Sequence, residues 1–109
     1  MKFNIHQPLS LNEVGKRENN EDSVFPQKGM ADLNDRLFIV CDGVGGIDKG
    51  EVASSLVCRT LSAFIPNNIP TPATKEFFLK AFDEAQSAID LYLSNSADSA
   101  GMATTLTLL

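Results

Sequence analysis

Two stretches of the chain concentrate the residue types that could do chemistry. The first, "RLFIVCDGVGGIDKGE" from Arg36 to Glu51, joins an unbroken apolar run to Asp42, with Gly43, Gly45 and Gly46 following. A strand buried through Cys41 would deliver the Asp42 carboxylate to the rim of the fold in a fixed orientation. The glycines beyond it allow sharp turns and close approach of backbone to a ligand. A carboxylate so held is a hard oxygen donor suited to Mg²⁺ or Mn²⁺, and the Gly43 carbonyl is a second candidate donor. The plain alternative is an Asp-Gly turn at a strand end. A Walker-type phosphate loop does not fit, because the required lysine and hydroxyl are not in order.

The second stretch, "KRENNEDS", places Arg17 shortly before Glu21 and Asp22. Arginine can hold phosphate oxygens bidentately, and the two adjacent carboxylates are further hard donors. In an extended segment Glu21 and Asp22 point to opposite sides, so both could serve one metal centre only at different distances or through water. A solvated charged loop is the competing reading. The other polar candidates are weaker. Asp83, Glu84 and Asp90 fall on the solvent side of an expected helix, His6 precedes any recognisable element, and Thr104 and Thr105 suit strand packing as well as any other role.

The elements that must position these residues follow from periodicity. A helix is expected from about Gly50 to Ile65, with Val52, Ala53, Leu56, Val57, Leu61 and Phe64 at helical spacing, Asp48 and Glu51 as a capping box, and Pro66 as a stop. A second helix, about Thr74 to Ser94, sets Phe78, Ala81, Phe82, Ala85, Ile89 and Tyr92 on one face. "RLFIVC" reads as a strand buried on both faces, "ATTLTLL" as another strong strand, and "PLSLNEV" and "DSVFPQ" as weaker ones. The order β, β, β, α, α, β indicates an α+β fold.

Composition narrows the function classes. The chain has 109 residues, 43% hydrophobic and 21% charged, which fits one modest globular domain. A net charge of -5 argues against nucleic-acid binding and suits cation binding. Cys41 and Cys58 sit in apolar runs and read as buried thiols. The lack of any long apolar span or leader-like segment makes a cytoplasmic, non-membrane protein the expectation. The chain stops inside the apolar strand at Leu109, which suggests part of a larger fold with an uncovered edge.

Taken together, "RENNEDS", "DGVGGIDKGEVAS" and "GMATTL" resemble, in order and separation, motifs of the metal-dependent protein phosphatases, the PPM-type or type-2C serine/threonine family. The resemblance covers nearly the whole chain and implies that residues 1–109 are the N-terminal part of such a domain, with its C-terminal part absent. It implies an incomplete β-sandwich of antiparallel strands flanked by a pair of antiparallel helices. It also implies two Mn²⁺ or Mg²⁺ ions in the complete domain, activating water for attack on phosphoserine or phosphothreonine. By motif, Asp42 would bridge both metals, the Gly43 carbonyl would join one, Glu21 and Asp22 would act largely through water, and Arg17 would hold substrate phosphate. A phosphoprotein substrate and a serine/threonine kinase counterpart follow from the same resemblance. The chain departs from the family pattern at Val44, Ile47 and Ala103, where methionine, histidine and glycine are common. The family's later metal-binding aspartates have no counterpart here, so low activity of the chain alone is expected. A truncated, non-catalytic interaction module is the alternative.

Overall fold

The computed structural model describes residues 6–9, 11, 20–44, 49–95 and 101–109. One helix packs on one face of a small antiparallel sheet and a second helix packs on the first, within the α+β class expected. The sheet is built from β1 (Asp22–Phe25), β2 (Ile39–Val44), β3 (Ala103–Thr104) and β4 (Thr107–Leu108), with β2 in the middle. On one side β2 pairs with β1. On the other it pairs with β3 and β4 in one uninterrupted register, Val44 opposite Ala103 and Ile39 opposite Leu108.

The central strand corrects the expectation from its apolar run. It begins at Ile39 rather than Arg36 and continues through Asp42 to Val44, so Asp42 lies within the ladder rather than past its end. Nor is it buried on both faces. Ile39, Cys41 and Gly43 are buried while Val40, Asp42 and Val44 are exposed, because both helices lie on one side and the pleat alternates side chains across the sheet. Of "PLSLNEV", the described residues Pro8, Leu9 and Leu11 form no strand, and the remainder falls outside the described residues.

Helix α1 (Lys49–Asn68) lies across β2 and β1, and α2 (Lys75–Ser94) packs on α1. Pro66, expected to end α1, sits inside its last turn. A proline this close to the end removes one backbone donor but need not break the turns before it. The side-chain amides of Asn67 and Asn68 donate to the carbonyls of Ala63 and Phe64, both at 2.8 Å, and hold the final turn closed. Asp48, the expected cap, lies outside the described residues. At the start of α2, Thr74 Oγ1 accepts from the Phe77 N–H at 3.1 Å as an N-cap.

The core is a stack of Ile39 and Cys41 from β2, Val57, Cys58, Leu61 and Ile65 from α1, and Phe77, Ala81, Ala85 and Ile89 from α2. The buried stripe of α2 is therefore rotated from the one expected: Phe77 is inside, Phe78 is half-buried, and Phe82 and Tyr92 remain 41% and 39% exposed. Two alanines explain the rotation, since Ala81 and Ala85 let α2 approach α1 closely and leave the larger rings at the margins. Phe64 and Phe77 stack at 5.6 Å where the helices meet. Cys41 and Cys58 are both free and buried. The hydrogen bond between them, and then burial, push the Cys41 thiol well above the usual thiol range.

Candidate functional site

The candidate residues gather at one end of the β1–β2 ladder, and the register places them. Asp22 stands directly opposite Asp42. Directly opposed residues share a face, with Cβ atoms about 4.5–5.5 Å apart in such pairs. That face is the one turned away from the helices, where Asp42 is exposed, while Oδ1 of Asp22 is buried.

Asp42 is held on one flank, by Thr105. Its N–H donates to Thr105 Oγ1 at 3.1 Å, and its carbonyl accepts from the Thr105 N–H at 2.9 Å. The Thr105 carbonyl accepts instead from Thr104 Oγ1 at 2.9 Å. A side-chain hydroxyl thus takes the place of a ladder carbonyl beside the central carboxylate. From the sequence Thr105 suits strand packing and a functional role equally. Its role becomes visible only once residue 105 is known to lie opposite residue 42.

Glu21 approaches from the other side of its strand, as the alternation of an extended segment requires. Its carbonyl accepts from the Gly43 N–H at 3.0 Å, and its carboxylate lies against Gly50. Gly43 and Gly50 meet backbone to backbone: a Cβ added at Gly43 would collide with the Gly50 carbonyl, and one added at Gly50 would lie 2.7 Å from Glu21 Oε2. Neither position can accept a side chain without displacing the start of α1. Gly50 is a positioning residue whose only signal in sequence was its place after the glycine-rich turn. Asn20 is another, since its Oδ1 accepts from the Asp22 N–H at 3.0 Å in an Asx-type turn that fixes the entry to β1.

Glu21, Asp22, Asp42 and Gly43 are therefore brought to one corner of the fold. Arg17 lies outside the described residues, as do Gly45, Gly46, Ile47 and Asp48. Asp83, Glu84 and Asp90 are exposed on α2, with Asp90 Oδ1 accepting from Gln86 Nε2 at 3.0 Å.

The donor set suits a hard divalent cation. Carboxylates directly opposed on a ladder repel one another. A cation between or beside them offsets that repulsion, and the oxygen-only donors match Mg²⁺ or Mn²⁺. Among the described residues, no three His, Cys, Asp or Glu side chains converge as a ready-made metal cage, so direct contacts from these residues would be few and water would complete the shell.

No family model matches the chain. It is 35% identical over 107 residues to the serine/threonine phosphatase Stp of Listeria monocytogenes, an alignment covering 94% of this chain and 41% of that protein. A putative protein phosphatase of Mycoplasma pneumoniae is 30% identical over 113 residues, covering 96% of this chain and 42% of its own length. The chain thus spans about two fifths of the length of these curated relatives. Among solved structures, the Mycobacterium tuberculosis serine/threonine phosphatase PstP/Ppp superposes with a TM-score of 0.68 at 37% identity, over 84% of this chain and 36% of that one. The PPM Ser-Thr phosphatase MsPP of Mycobacterium smegmatis, in complex with cacodylate, gives 0.60 at 26% identity, over 94% and 34%.

Proposed function

We propose that this chain, related by sequence and fold to the N-terminal portion of the PPM-type serine/threonine phosphatases, contributes the Asp22 and Asp42 carboxylates to a metal-dependent site that hydrolyses phosphoserine and phosphothreonine in proteins. The observation that carries this reading is the register that sets Asp22 opposite Asp42 on the open face of the sheet. Asp42 would hold Mn²⁺ or Mg²⁺ directly, with the Gly43 carbonyl beside it and Glu21 and Asp22 acting through water. When bound, a pair of such ions supplies a water of lowered pKa and positive charge for the phosphoryl oxygens.

The chain's own residues do the positioning. Thr105 fixes the backbone of Asp42, and so the direction from which its carboxylate is presented. Glu21 ties β1 to Gly43, which keeps the two acidic strands in step. Arg17 would bind the phosphate oxygens of the substrate bidentately. A phosphoprotein is the substrate class, a serine/threonine kinase its counterpart, and the cytoplasm the setting. No helix among the described residues is long and apolar enough to cross a membrane. Turnover by the chain alone is expected to be low, because a two-cation site with few carboxylates leaves positive charge uncompensated.

A second reading has its own observation. Val40 and Val44, 49% and 61% exposed, flank Asp42 on the same face and present apolar surface suited to a non-catalytic interaction module. Calorimetric titration with Mn²⁺ alongside size-exclusion chromatography separates the two. A monomer that binds Mn²⁺ and loses that binding in Asp42→Asn supports the metal site; an oligomer indifferent to Mn²⁺ replaces it with the module. Mn²⁺-dependent hydrolysis of a phosphothreonine peptide by this chain alone, lost in Asp42→Asn, would overturn the expectation of low turnover.

A further inference from the structure

The two cysteines meet where α1 crosses the sheet, and the side chains beside them fix how they meet. Cys41 stands directly opposite Ser23 in the β1–β2 register, so both side chains share the helix face of the sheet, with Cβ atoms about 4.5–5.5 Å apart in such pairs. Ser54 and Cys58 are both buried on α1 at i and i+4 spacing, which sets them one above the other on the face turned to the sheet. Ser23 Oγ and Ser54 Oγ touch at 3.1 Å. The serine pair and the cysteine pair are therefore parallel rungs between the same two strands and the same helix. A hydrogen bond between the thiols completes the second rung.

The two sulfurs differ in access. Cys41 is 0% exposed beneath the helix, whereas Cys58 is 7% exposed and forms part of the wall of a cleft of about 260 Å³ between β1, the turn after it and α1. Ser23 and Ser55 line the same cleft. A small polar oxidant entering there reaches Cys58 without crossing the core. The hydrogen bond with Cys41 outweighs burial and holds the Cys58 thiol below the usual thiol range, which raises the share of the nucleophilic thiolate. Both thiols lie on the opposite face of the sheet from Asp22 and Asp42, so this chemistry is separate from that of the carboxylates.

We infer that Cys58 and Cys41 form an oxidative modification site, at which hydrogen peroxide entering the cleft joins α1 to β2 through a reversible disulfide. Cys58 Sγ attacks one peroxide oxygen, the O–O bond breaks, and the second oxygen leaves as water with the Cys58 proton, so that Cys58 becomes a sulfenic acid. Cys41 Sγ then attacks Cys58 Sγ, the S–O bond breaks, and the departing hydroxide takes the Cys41 proton and leaves as water. Two electrons pass from the sulfur pair to the peroxide, whose oxygens both end as water. A thiol reductant reverses the bond. The tie joins the strand that carries Asp42 to the middle of α1, and it removes the sulfenic acid before further oxidation.

The test treats the whole reduced chain with hydrogen peroxide under native conditions and then alkylates it in denaturant. The expected product is a monomer that has lost two hydrogens by intact mass, resists alkylation at both cysteines, and yields a cross-linked peptide containing Cys41 and Cys58 that dithiothreitol separates. In Cys41→Ser the same treatment should stop at a Cys58 sulfenic acid, trapped by dimedone. In Cys58→Ser the Cys41 thiol should oxidise about tenfold more slowly than Cys58 does in the parent chain. Thiols that stay alkylatable in the native chain and oxidise only in denaturant overturn the inference. Disulfide-linked dimers in place of the internal bond, or a Cys58 sulfinic acid beside a free Cys41, overturn it as well. Should circular dichroism show Cys58→Ser unfolded, Cys58→Ala, which keeps an apolar side chain in the core, takes its place; the cross-linked peptide of the parent chain needs no variant.

Discussion

The two faces of β2 differ by one residue step and in almost every physical respect. On the helix side Ile39, Cys41 and Gly43 are buried in contact with their own chain, and on the other side Val40, Asp42 and Val44 are open. The closed face contains what stabilises the chain: apolar volume, two apposed thiols and a backbone contact too tight for a side chain. The open face contains what destabilises it, two opposed carboxylates and unburied valines. A strand can hold both because alternation isolates them, so a residue can be exposed to chemistry while its immediate neighbours are fixed by packing.

This contrast predicts that substitutions on the closed face cost stability and those on the open face cost function. The largest effect is expected from Leu61→Ala in the centre of the core, a loss of about 2–5 kcal/mol in denaturant unfolding. A loss below about 1 kcal/mol would mean that the helix-side core is looser than its burial indicates. Next comes Gly43→Ala, which must push the start of α1 away from β2 and is expected to cost about 1–3 kcal/mol as an overpacked site. Its amide spectrum should change around both Gly50 and Glu21. The smallest effect has the opposite sign. Asp42→Asn relieves the repulsion with Asp22 and should stabilise the metal-free chain by a few tenths of a kcal/mol up to about 1 kcal/mol. If Asp42→Asn instead destabilises the chain, Asp42 is part of the scaffold and the contrast between the faces fails.

Much of this arrangement could be read from residues near one another in sequence. Thr74 is a polar residue at the head of an apolar-periodic stretch, and it is the N-cap of α2. Asp22 through Phe25 form the strand read from "DSVFPQ", and the two thiols were legible from their apolar neighbours. What could not be read depends on meetings between distant segments. That Asp22 faces Asp42, and that Thr105 supplies a hydroxyl to the Asp42 amide, are matters of register across long connections, and no local spacing encodes them. The rotation of α2 was hidden for a related reason. Periodicity locates a helix's apolar arc, but whether large Phe82 or small Ala81 and Ala85 sit on the contact line depends on how near the partner helix comes. Pro66 shows the limit of a breaker signal, because its cost depends on how many turns follow it.

The contact of Gly43 with Gly50 links these faces mechanically. Strand and helix touch there with no side chain between them to deform, so they move as one lever about a rigid fulcrum. The connection between them can change in composition, but its two ends keep a fixed gauge. Displacement of the first turn of α1 is therefore transmitted to β2 one residue from Asp42, and the pose of the carboxylate becomes a readout of where the helix sits.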